Sequence, residues 1–169
     1  SVLLLELLCR HRWQVTPRFA TVRGEPGDLA ALTVMPHDAV LVIGDAALML
    51  AASGAYPYVA DLSDEWKAWT GLPFVFAVWA ARRSADLDAA RVVHGRLLES
   101  RRWGLAHLDL LAEAAAGKTG LPVQTCRAYL GELDYELGPA HLAGLTHFFG
   151  RLAADGLAPL QSLAFLDAA

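Results

Sequence analysis

The sequence predicts an α/β protein in two parts. Three observations carry this. Residues 38–43 (DAVLVI) are a near-continuous apolar run of the kind buried on both faces of a parallel sheet, and Gly-Asp and a helical stretch follow at once. Residues 73–81 (PFVFAVWAA) are a second run, aromatic and β-branched, with no charge before Arg82. Between them the chain changes character near residue 62: short helices and strands alternate before it, and mostly helices follow.

Taken in order, Ser1 and the apolar VLLLELL read as a buried helix with Ser1 at its N-cap. Residues 18–22 suggest a strand. Residues 24–27 (GEPG) are a turn, and Asp28 caps a short helix over 29–32. After the strand at 38–43, Gly44-Asp45 opens a helix over 46–52. Residues 56–62 look extended. Ser63 then caps a helix over 64–69 that carries Asp64 and Glu65 in its first turn and stops at Thr70-Gly71. Beyond the strand at 73–81, apolar spacing predicts helix from 86 to 116, divided near Gly104. A helix over 123–130, a short strand over 133–137 and a helix over 139–154 complete the chain. The expected division is 1–62 as an inserted second α/β lobe and 63–169 as the return segment and C-terminal part of a first lobe, though one mixed domain would show the same pattern.

The 169 residues are 55% hydrophobic and 19% charged, which provides a sizeable core and excludes a disordered chain. A net charge of −4 argues against nucleic acid, whose binding needs a basic face. No apolar run reaches the length of a membrane span, so no membrane partner is expected. Cys9 and Cys126 read as buried free thiols. The six histidines have no metal-ligand spacing, and Ala112 stands where a phosphate loop ending in Gly117-Lys118-Thr119 would need glycine.

Candidate binding residues follow from the element pattern. Ligands of open α/β sheets sit at strand carboxyl ends, which selects Ile43, Gly44 and Asp45. Gly44 lets a ligand approach the backbone closely, and Asp45 either lines a pocket or caps its helix. Ser1 offers a hydroxyl and free N–H groups at a helix start, either for an anion or as a plain cap. Alternation places Phe74 and Phe76 on one face, as core or as a stacking surface for a planar ring. From residues alone the reading stops at a two-part α/β protein open to a small anion.

Together, VLVIGDAAL, DLSDEWKAWTGLPFVFAVWAAR and LDYELGPAHLAGLTHFF resemble the chorismate dehydratase family of menaquinone biosynthesis by the futalosine route. The resemblance implies a type II periplasmic-binding-protein fold, two α/β lobes around a cleft, with about half of the first lobe expected ahead of the position of Ser1. It implies a lyase that removes water from chorismate to give 3-[(1-carboxyvinyl)oxy]benzoate. Ser1, Ile43, Gly44, Asp45 and Phe76 would contact this small dicarboxylate, with no residue assigned as the base. No cofactor or metal is implied. A cytoplasmic monomer or homodimer is expected. The sister 1,4-dihydroxy-6-naphthoate synthases have a His-Glu pair where this chain has Gly44-Asp45, and a Leu-Pro-Leu-Gly type run where it has Phe-Val-Phe-Ala-Val-Trp. Both differences favour the dehydratase. A non-enzymatic solute-binding protein of the same fold is the third reading.

Overall fold

The computed structural model describes residues 1–21, 32, 34–160 and 163–165. Among them all the regular structure is helical, and no segment forms a strand. This overturns the expected α/β class and the two-lobed periplasmic-binding-protein arrangement built on it. Residues 18–21, 38–43, 56–61, 73–81 and 133–137 were all expected to be extended or strand, and none of them pairs into a sheet. The physical reason lies in what composition can specify. Branched and aromatic residues suit a pleated backbone, but a strand exists only where a second segment takes its N–H and C=O groups. The turn at 24–27, its Asp28 cap and the helix start at 29–31 lie outside the described residues.

The chain divides into two compact units. The first joins Ser1–Phe76 to Gly138–Leu160, and the second comprises Ala77–Leu137 and the chain after residue 160.

In the first unit, α1 (Val2–Leu7) runs directly into a π-helical turn, Leu8–Trp13, which Gln14 ends in the left-handed conformation (φ 55°). Leu4, Leu7 and Leu8 recur at helical spacing and are fully buried. α2 (Asp45–Ser53) buries only Leu50. α3 (Leu62–Thr70) starts two residues earlier than the Ser63 cap predicts, because the Asp61 carboxylate takes the N–H groups of Ser63 (2.7 Å) and Asp64 (3.2 Å). α3 drives Trp66, 0% exposed, against Leu4 and Leu8. Trp13, Leu62, Trp69, Phe74 and Phe148 close around that centre. Phe148 comes from the last helix of this unit, Pro139–Ala154, which begins with proline at a position that needs no N–H and spans the predicted residues.

In the second unit, α4 (Leu87–Ala106) is capped by Asp86, whose carboxylate accepts from Asp88 N–H (2.9 Å) and Ala89 N–H (3.3 Å). The break before α5 (Leu108–Thr119) falls at His107 rather than Gly104. There the ring stacks on Trp103 (4.3 Å) and its Nδ1 bonds the Trp103 carbonyl (2.7 Å). α5 and α6 (Val123–Glu132) form a hairpin around Gly120, burying Ala112 and Cys126 and tied outside by an Arg127–Asp109 ion pair. The helix Pro139–Ala154 is α7. Cys9 and Cys126 are free and buried, as read from the sequence.

Candidate functional site

The stretch selected from the sequence becomes a turn into α2. Gly44 occupies φ 67°, ψ −150°, a conformation essentially reserved for glycine. Its carbonyl starts the helix by accepting from Ala47 N–H (3.0 Å) and Leu48 N–H (3.3 Å). A Cβ at this position would meet nothing within 4 Å, so the space beside the turn is open. Gly44, not Asp45, is the cap residue. Asp45 lies exposed in the first helical turn, where the dipole favours a carboxylate. Ile43 is 65% exposed beside it. The flanks of this segment meet at His37, whose ring nitrogens engage the Met35 carbonyl (2.7 Å) and the Tyr56 hydroxyl (2.8 Å).

Phe76 takes a different place. It stands edge-on to Phe74 (4.7 Å), and Phe74 packs edge-on to Phe148 (5.0 Å) and Trp66 (5.6 Å). Phe76, 57% exposed, is thus the outer ring of an aromatic chain rooted in the core, so the expectation that 74 and 76 share a face holds as direct contact. Ser1 is exposed at the start of α1. Its carbonyl accepts from Leu5 N–H (2.9 Å), while its hydroxyl makes no cap bond. Phe76 therefore borders the aromatic core, while Ser1 stands at the exposed start of α1. No hydrogen bond or ring contact among the described residues joins either of them to Gly44-Asp45.

The richest polar cluster was not picked out from the sequence. In the π-turn Arg10 Nη1 and His11 Nε2 both reach Asp155 Oδ2 at 2.8 Å, and Arg12 Nε (3.4 Å) and Trp13 Nε1 (3.2 Å) both reach Glu65 Oε2. The wider π turn separates successive side chains by a smaller angle than an α-helix does, so neighbours in sequence converge on one carboxylate. The His11 hydrogen bond holds the Asp155 carboxyl below its usual range. Burial opposes this, and the His11 and Arg10 charges assist it. The Trp69 ring stacks with His11 (5.8 Å) and also carries the Arg151 guanidinium (4.8 Å). The RHRW run was visible, but its partner lies 144 residues away, and no local pattern encodes that distance. Burial, with the Glu6 charge adding to it, pushes the Cys9 thiol up and keeps it un-ionised and inert.

Chemically, the α2 turn offers an open helix start beside a glycine backbone, and the aromatic chain offers a ring to stack on. Residues 1–154 match the family described as menaquinone biosynthesis. The chain is also 37% identical over 163 residues to a chorismate dehydratase of Thermus thermophilus, a match covering 88% of this chain and 57% of that relative.

Proposed function

The chain belongs to the menaquinone biosynthesis family, that of chorismate dehydratase, and from that premise we propose that the whole protein removes water from chorismate to give 3-[(1-carboxyvinyl)oxy]benzoate. The single observation that supports this most is 37% identity to a protein of that name over most of the chain. Since the chain spans 57% of that relative, the activity is proposed for the protein carrying this chain.

The chemistry sets what the site must do. Chorismate loses the proton at the enolpyruvyl-bearing carbon and then the neighbouring hydroxyl, and the ring becomes aromatic. The proton is vinylogous to the ring carboxylate, so its removal pushes charge onto that group. Donors aimed at the carboxylate lower the barrier. In this reading the open N-terminus of α2 at Ile43, Gly44 and Asp45 supplies backbone donors, Ser1 holds a second carboxylate, and Phe76 covers the ring. The reaction is that of a carbon–oxygen hydro-lyase on a small dicarboxylate, carried out in the cytoplasm by a monomer or homodimer.

Incubating the full-length protein with chorismate and following the mixture by mass spectrometry tests this. The expected result is loss of water and appearance of the enolpyruvyl benzoate. Unchanged chorismate with turnover of cyclic dehypoxanthine futalosine moves the protein to the sister synthases. Tight solute binding without turnover of either makes it a binding protein.

A further inference from the structure

We propose that His37 is a positioning residue, a polar staple that closes the segment from Met35 to Tyr56 into a ring and so sets the Gly44-Asp45 turn. Packing does only part of this work, with residues 40–42 and 46–49 half-buried. α2 buries only Leu50, and residues 36–43 have no regular structure. Something else must fix the direction in which the turn faces.

The hydrogen bonds identify it. The Met35 carbonyl can only accept, so His37 Nδ1 carries the hydrogen that reaches it at 2.7 Å. That settles the ring's orientation and leaves Nε2 for the Tyr56 hydroxyl at 2.8 Å. In the neutral ring Nε2 accepts the phenol hydrogen. In the charged ring it donates to the phenol oxygen instead, so the bond reverses without breaking.

Both ends of the staple transmit to the turn. Tyr56 follows the C-terminus of α2 through a closely bonded corner: Gly54 N–H donates to Ala51 (3.4 Å), Ser53 Oγ donates to Leu50 (2.7 Å), and Ala55 N–H donates to Ser53 Oγ (3.3 Å). Displacing Tyr56 therefore displaces the helix. His37 leads through residues 38–43 into Gly44, whose carbonyl opens the same helix. Among the described residues, the His37–Tyr56 side-chain pair thus closes the ring of residues 37–56.

The activity arm of the test rests on the chorismate reading, and the exchange arm does not. Tyr56→Phe removes only the hydroxyl, and His37→Phe removes both ring nitrogens. Neither residue is buried, so both variants should fold. In full-length protein, amide exchange at Ala47 and Leu48, the groups bonded to Gly44, should quicken about fivefold in either variant, the scale of one lost hydrogen bond. The double variant should exchange no faster than Tyr56→Phe alone. With chorismate, KM should rise severalfold while kcat holds, because the turn binds rather than reacts. Unaltered exchange in Tyr56→Phe, or two effects that simply add in the double variant, overturns the staple. If the unsubstituted protein leaves chorismate unchanged, the functional reading fails and exchange still decides the role of His37.

Discussion

Gly144 and Gly150 lie in the same helix, and nothing in the sequence distinguishes them. Replacing either with alanine would ordinarily favour the helix by up to about 1 kcal/mol. The structure separates the two. A Cβ at 144 would fall within 3.0 Å of the Pro73 carbonyl oxygen, where the start of the 73–81 segment lies against α7, whereas one at 150 meets nothing within 4 Å. Backbone cannot swing aside as a side chain does, so overpacking outweighs propensity at 144. Gly144→Ala should lower stability by about 2–3 kcal/mol. Gly150→Ala should leave it level or raise it by about 0.5–1 kcal/mol. Urea unfolding of the two variants checks the opposite signs. At this scale the sequence reveals residue types with fixed conformational needs, such as the glycine at 44, and conceals those whose role is a contact with distant chain.

Helices were far more readable than strands. Pro139 marks the start of α7, and Thr70-Gly71 marks the end of α3, where Gly71 takes φ 75°. A helix satisfies its own backbone within four residues, so local sequence carries most of the decision. A strand's partner can be anywhere, which is why 38–43 and 73–81 were misread. The cap of α3 shows a smaller difference, of two residues. Burial pushes the Asp61 carboxyl up, but the hydrogen bonds from the Ser63 hydroxyl and from the Ser63 and Asp64 amides outweigh it and hold the group below its ordinary 3.8. A depressed carboxyl binds fewer protons in the folded state. Its contribution is therefore present above pH 3.8 and lost as pH falls through the lowered value. Asp61→Ala should cost about 1 kcal/mol at neutral pH. The gap from the unsubstituted protein should close on acidification below that range. Asp61→Asn should keep most of the cap and lose the pH dependence. Urea midpoints across the acid range measure all three.

For the molecule as a whole, the defining feature is that the first unit is discontinuous. Trp66 meets Trp69 (5.7 Å) and Phe74 (5.6 Å) from its own stretch, but Phe148 (5.9 Å) and His147 (5.6 Å) from beyond residue 138. The family was readable from three stretches spread along most of the chain. The closure of this core was not, because it pairs residues some eighty positions apart. Nor was the anchoring of the π-turn to Asp155, at the end of the same helix. A chain ending at Leu137 should lose that cover. Its tryptophan emission should shift to the red and its near-ultraviolet dichroism should weaken relative to the full chain. Unchanged spectra would mean that Trp66 is shielded without α7.

That discontinuity has a consequence in time. During synthesis the half-core of Leu4, Leu8 and Trp66 is complete once Phe76 has emerged, yet the helix that covers it follows about sixty residues later. At about 5–20 residues per second the wait is roughly 3–12 seconds. For that interval a largely apolar shelf centred on Trp66 stays open on every nascent chain, long enough for many encounters with holdases or with a neighbouring ribosome's product. Slow translation between residues 77 and 137 lengthens the exposure, so the yield of folded protein should be sensitive to codon choice in a stretch that belongs to the second unit.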